Sequence, residues 1–426
     1  MAASGMQHSR PALASRPNRR RAGPSARRFL AQFSGNTIDS TAPRVCFFVL
    51  LALFVWAIAA EPSRADRIVL RNLKIIGDRQ VESLDEDGVR LDDDTVLTWD
   101  EIESGTVDPA KQKQFDRLLA ELGPPLFQIR QRLARGDYQG LLEPAEAVYP
   151  TFAARKSPTA YQVCQAVMWG RLAAGSREQA VEPYLRCYAY RTTYGGSDAA
   201  LPGDRRLTFD PITGLSPELA PVWFDAEAAK EVLPGVAKAA SDTPKPLRAA
   251  ARLYYATLVA TAGDVEAART AIAGLEGDEP AVGEVRQVVL AQIEVLAGRP
   301  GAAVEQLASS INEQSAANRP LALYWLGRAQ ANSDDPRTRR EGVLQLLYLP
   351  ALYGQKLPDL AAAGLYDAMQ TLAALGDDAQ SVAVRKELLL HYANSPQAKK
   401  VKADSGAGSG GAGGGGSTGG VAEPSS

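Results

Sequence analysis

Apolar positions in the middle and last third of the chain recur at helical spacing, and the helical stretches come in pairs broken by glycine. Ala249 to Leu275 holds one pair, turning at Gly263-Asp264, and Gly283 to Ile311 holds the next, turning at Gly298-Arg299-Pro300. The two turn glycines lie 35 residues apart. Further turns fall at Gly136-Asp137, Gly175-Ser176 and Gly376-Asp377. A helix–turn–helix unit repeated at this period predicts a stacked solenoid of helical hairpins, because neighbouring units bury the face that one hairpin leaves open. Residues 66–107 follow another pattern. Arg67–Leu70, Leu73–Ile76, Gly88–Leu91 and Thr95–Thr98 are short β-type runs, punctuated by Gly77-Asp78 and Asp87-Gly88. They predict a small β meander, SH3-like, plugged by Trp99 and Ile102 and docked on a first helix over Pro109–Gly123. The fold expected is therefore mainly α, with a small N-terminal β module.

Aligning the units on their glycines shows which positions carry large and small side chains. Around Gly263 stand Tyr255, Ala256 and Val259, then Ala268, Ile272 and Leu275. Around Gly298 stand Leu290, Ala291, Ala303 and Leu307, with polar Glu294 and Ser310 at the two remaining positions. Small residues are needed where the paired helices cross, since two large ones hold the axes apart. Tyr324-Trp325-Leu326-Gly327-Arg328-Ala329 adds a Trp-x-x-Leu-Gly type of opening in compressed form. This arrangement resembles the tetratricopeptide repeat family. The last unit, Pro358 to Pro396, ends Leu388-Leu-Leu-His-Tyr-Ala-Asn-Ser-Pro396 and resembles the final repeat of the periplasmic coordinator family of the Tol–Pal system. It departs from that family at Tyr392-Ala393, where a Tyr-Pro is usual, and at Ser381, where a small Ala is usual. The resemblance covers roughly half the chain and implies an exported helical-repeat architecture.

A second internal match joins Leu142-Glu143-Pro144 to Val181-Glu182-Pro183, 39 residues on. Each proline either kinks its helix or makes it begin late. Two regions interrupt the array, which spans 108–403. An insertion at about 191–225, rich in Pro, Gly and aromatic residues, marks Phe209, Asp210, Trp223 and Phe224 as candidate ligand contacts. From 404 to 426 the chain is a Gly/Ser tail, expected to be disordered.

Charge separates the beginning from the rest. Residues 1–65 carry nine Arg against Asp39 and Glu61, a balance of +7, which leaves −9 on the remainder of a chain with net charge −2. An acidic folded part argues against a nucleic-acid partner. Val45 to Ala60 is an uninterrupted apolar run behind a basic leader, which suits a signal peptide or a signal anchor. The chain is expected to be exported, to the periplasm or cell envelope. Cys46 stands at the start of that run, so a lipoprotein anchor is not supported. Cys164 and Cys187 lie eleven residues either side of the Gly175 turn. In an antiparallel hairpin they face each other, as a disulfide or as two buried thiols filling apolar space.

Side chains with catalytic chemistry are sparse. The histidines are His8 and His391, and neither a His-based triad nor a His-based zinc site can be assembled from them. No Gly-rich phosphate loop occurs, and no cofactor is expected. The acidic residues Asp85–Asp87 and Asp92–Asp94 read as solvated turn tips. Trp169 and Trp325 read as core, and Arg337, Arg339 and Arg340 as a solvated turn. The expected function is a non-enzymatic, exported scaffold binding a protein or peptide partner in the envelope. The rival is a cell-wall polymer binder or hydrolase using residues 204–225, which requires Asp210, Glu218 and Asp225 to converge. A module that only assembles with itself is the third reading.

Overall fold

A computed structural model describes residues 66–193, 201–244, 248–273, 275 and 280–409. The basic leader, the Val45–Ala60 run with Cys46, His8, residues 194–200 and 245–247 of the insertion region, and residues 410–426 lie outside the described residues. No helix among the described residues is long and apolar enough to cross a membrane.

Six short strands come first: β1 (Arg67–Leu70), β2 (Ile75–Ile76), β3 (Val81–Asp85), β4 (Gly88–Leu91), β5 (Val96–Leu97) and β6 (Ile102–Thr106). They form two antiparallel three-stranded sheets, ordered β2-β1-β6 and β3-β4-β5. The second sheet is a meander. The first is not, because β6 returns to pair with β1, with Arg67 opposite Thr106. β3 and β6 escape the sequence pattern for a physical reason. Their alternation is broken by a bulge between Val81 and Ser83, and in β6 only Ile102 is apolar. Trp99 and Ile102 are fully buried, and the Trp99 ring packs edge-on against Phe115 at 5.6 Å. Trp99 Nε1 donates to the Asp85 carbonyl at 2.9 Å.

Phe115 belongs to α1 (Pro109–Arg135), capped by Asp108, whose side chain accepts from the Ala110 amide at 2.8 Å. The helix does not stop at Gly123 as the sequence suggests. It runs through Pro124 and Pro125 because Leu118, Leu122, Leu126, Ile129 and Leu133 bury one face throughout. Packing there outweighs the backbone donors that the prolines remove. Thirteen further α-helices follow among the described residues: α2 (Leu142–Phe152), α3 (Pro158–Ala174), α4 (Val181–Thr193), α5 (Ala226–Asp242), α6 (Arg248–Thr261), α7 (Val265–Ala273), α8 (Pro280–Leu296), α9 (Pro300–Ala308), α10 (Arg319–Ala331), α11 (Pro336–Tyr353), α12 (Pro358–Ala374), α13 (Asp378–His391) and α14 (Pro396–Ser409). Most pack chiefly on their neighbours in sequence, while α14 packs on both α12 and α13. Pro144 and Pro183 each stand third in α2 and α4, where the missing donor has no intrahelical acceptor.

The turns share one geometry. Gly136, Gly175, Gly263, Gly298 and Gly376 all have left-handed backbone, with φ between +69° and +97°. At Gly136 the amide donates to Leu133 O, and the next amide reaches Arg132 O. The same two bonds recur after α3, α6, α8 and α12. This is the glycine-terminated helix end in which a β-carbon is unfavourable.

Helices α3, α10 and α12 are buried on almost every side. α10 and α11 cross through glycine, and a β-carbon on Gly342 would meet Gly327 O at 2.6 Å. The last helix runs six residues beyond 403, where the array was expected to end. α14 runs to Ser409, and Ala398 and Val401 are buried against Leu365, Met369 and Leu388.

Candidate functional site

The insertion folds inward. Leu207, Leu215, Leu219 and Trp223 join the core that runs from the β module to α8, while Val222 joins the core of α8 to α12. A buried irregular segment needs partners for its backbone polar groups, and side chains supply them. The Tyr184 hydroxyl donates to Gly214 O. The Tyr254 hydroxyl donates to Leu219 O at 2.9 Å and accepts from the Ser216 amide at 3.0 Å. Arg177 donates to Glu218 O and Ala220 O, and Arg191 to Leu207 O. Glu178 accepts from the Phe224 amide at 2.9 Å. Burial pushes the Tyr184 and Tyr254 phenols above their usual range, so both remain protonated donors. Gly214 has φ +67°, and a β-carbon there would lie 2.5 Å from the Tyr188 hydroxyl.

The four candidate contacts divide into two pairs. Phe209 packs edge-on against Tyr188 at 4.9 Å and under the Arg191 guanidinium at 5.3 Å. The Asp210 carboxylate is used within its own turn, accepting from the Ile212 amide at 3.0 Å and the Thr213 amide at 2.7 Å. Trp223 and Phe224 instead wall a cavity of about 370 Å³ between the insertion, α10, α12 and α14. Trp223 is fixed by donation from Nε1 to Thr257 Oγ1 at 2.9 Å. Across from it, the Tyr324 hydroxyl donates to Asp367 at 2.8 Å and accepts from Arg328 at 3.2 Å. Tyr324 and then Asp367 reinforce the positive charge on Arg328. Asp367 and Gln397 carry no sequence signal as site residues, because they stand 144 and 174 positions beyond Trp223 in chain order. Only the Tyr324–Ala329 motif hints at the place.

The three carboxylates required by a hydrolase have separate partners. Asp210 holds its turn, Glu218 pairs with Arg205 at 3.4 Å, and Asp225 caps α5 through the Glu227 and Ala228 amides. Burial raises the Glu218 carboxyl above its ordinary value, with Arg205 opposing. Of the three, only Asp225 borders the cavity.

Other expected sites resolve differently. No disulfide joins Cys164 to Cys187, and both are buried. Cys187 Sγ lies 4.0 Å from the carbonyl of Tyr161, three residues before Cys164. The 3-10 turn Glu178–Ala180, ahead of α4, intervenes between the two helices. The acidic tips Asp85, Glu86 and Asp87 gather around Arg155, at 3.4, 2.7 and 2.8 Å. Arg337 pairs with Glu341 and Arg340 with Asp377, while Arg328 points to the cavity. Trp169 is buried, with the Arg205 guanidinium 3.7 Å above its ring.

A second surface is open. Leu344, Tyr348 and Leu352 recur every four residues on one face of α11 and are 60, 50 and 64% exposed. Val382 and Leu390 of α13 are 63 and 67% exposed. Leu347 of α11 and Val384 of α13 pack on a common core. Arg337, Arg340, Arg385 and Lys386 stand on the same two helices.

No protein-family model, curated protein or solved structure matches the chain.

Proposed function

We propose that the chain is an exported, non-enzymatic helical-repeat scaffold that binds a protein partner in the cell envelope. In this reading the helices form a tetratricopeptide-like solenoid with an SH3-like β module at its start. The five equivalent glycine turns and the buried inner helices support that architecture. The observation that carries the binding role is the apolar stripe Leu344–Tyr348–Leu352 on α11. Large apolar side chains aligned on one exposed helix face are costly in water and favour a partner surface. Arg337 and Arg340 precede the stripe on α11, paired with Glu341 and Asp377, and Arg385 and Lys386 stand on α13. The partner favoured is therefore an amphipathic helix whose apolar face covers the stripe.

A photo-cross-linker placed at Tyr348 in the full chain tests this in cells. One envelope protein should be captured, and that protein should bind the purified chain unless Leu344→Asp and Leu352→Asp are present. Capture of a second copy of the chain would replace the reading with self-assembly. Binding unaffected by both aspartates would remove the stripe from it.

A further inference from the structure

The cavity beneath the insertion combines two kinds of wall. Phe224 and Tyr366 present aromatic surface, beside the almost fully buried Trp223 and Trp325, and Arg328, Asp367 and Lys400 present polar groups. Its volume of about 370 Å³ is at the small end of the range for ligand pockets. The ionic groups on its border balance, with Arg328 and Lys400 against Asp225 and Asp367. That balance disfavours a strongly charged ligand, since one sign would always meet its like. What the site offers is mixed donors and acceptors around aromatic rings. A sugar ring complements this, because its C–H faces pack on aromatic rings and its hydroxyls both donate and accept.

Two of the residues that line the cavity carry unsatisfied groups. Gln397 is 3% exposed, and neither its amide nitrogen nor its amide oxygen has a hydrogen-bond partner. Trp325 is 1% exposed, and its Nε1 also lacks a partner. Buried polar groups left this way destabilise a fold unless something else bonds them. Gln397 borders the cavity on α14, and a rotation of its side chain would bring the amide to a guest. Lys400, one helical turn further on, lies 5.6 Å from the Tyr366 ring centre. By contrast, Arg328 and Asp367 are held in place by Tyr324. The site thus has a fixed wall on α10 and α12 and an adjustable wall on α14.

We propose that this cavity binds a neutral saccharide ring, with Phe224 and Tyr366 as the apolar wall and Gln397 bonding its hydroxyls. The proposal does not rest on the partner-binding stripe, which lies on α11 and α13. The test uses the full chain with glucose, N-acetylglucosamine and its β-1,4-linked disaccharide. Glucuronate and glucosamine serve as anionic and cationic controls. Trp223 and Trp325 make intrinsic fluorescence the direct readout, and calorimetry gives the affinity. A saturable fluorescence change with a neutral sugar is expected, with Kd in the millimolar range or tighter. Gln397→Leu should weaken it about tenfold while raising Tm, because an unbonded amide is replaced by an apolar group. Lys400→Ala, on an exposed residue, should weaken it without changing Tm. No saturable change with any neutral sugar would overturn the proposal. So would binding of only a charged control, or a Kd that both substitutions leave unchanged.

Discussion

Arg177, in the turn after α3, forms an ion pair with Asp359 at the start of α12, 182 residues further along the chain. The Arg177 side chain is 3% exposed and that of Asp359 is 41% exposed. The guanidinium also donates to Glu218 O and Ala220 O, so one buried cation joins an early turn, the insertion and a late helix. Lys399 of α14 reaches Ala174 O nearby, at 3.2 Å. Early and late helices therefore meet at this point.

The two members of that pair should not be equivalent. Arg177→Met strands two buried carbonyls and is expected to cost about 3 kcal/mol. Asp359→Asn leaves Arg177 with its two carbonyl acceptors and changes a half-exposed group, so about 1 kcal/mol is expected. Urea unfolding of both variants measures this. Equal losses would mean that the ion pair, rather than the carbonyl bonds, dominates.

Glu218 gives a pH dependence with a definite sign. Burial raises its carboxyl above the ordinary 4.5, with the Arg205 charge opposing and Asp359 adding to the rise. A raised acid binds its proton more tightly when folded. Its contribution to stability is then full below pH 4.5 and is lost as the pH rises through the folded-state value. Glu218→Gln should raise Tm at pH 7 and leave it nearly unchanged at a pH well below 4.5. Melting curves at the two pH values decide it. A variant less stable at pH 7 would show that the Arg205 pair outweighs burial.

Arg155 gathers three acidic tips of the β module, and burial of its side chain is only partial, at 29% exposed. Its hydrogen bond to Asp87 is the first cause of its raised pKa. Arg155→Ala is expected to cost about 1 kcal/mol globally, less at high salt. The larger effect should be local, as faster amide exchange across β3 and β4 with little change in α8 to α12. Uniform acceleration along the chain would mean that the module does not open separately.

What the sequence disclosed and what it hid divide along the range of the interactions. The helix ends were legible because Gly136, Gly175, Gly263, Gly298 and Gly376 act locally, each through two bonds within six residues. Leu118, Leu122 and Leu126 carry α1 past Pro124 because burial outweighs propensity, and local signals therefore fail there. Trp223 and Phe224 were marked by composition, but Asp367 and Gln397 reach them only through the folded path of the chain. Cys164 and Cys187 are buried and not joined by a disulfide, one of the two arrangements that their spacing about Gly175 left open.

Glycine within helices offers a paired test with opposite signs. On Gly342 a new β-carbon would meet Ala331 N at 2.5 Å and Gly327 O at 2.6 Å, both backbone atoms that cannot swing aside. Gly342→Ala must then push α10 and α11 apart, which is expected to cost about 2 kcal/mol despite alanine's better helix propensity. At Gly301, in the first turn of α9, nothing lies within 4 Å of such a carbon. Gly301→Ala should therefore stabilise by about 0.5 kcal/mol through propensity alone. Both are read from urea midpoints with the slope held constant. If Gly342→Ala proved neutral, the close crossing of α10 and α11 would be wrong, and with it the backbone contact that positions Tyr324, Trp325 and Arg328 at the cavity.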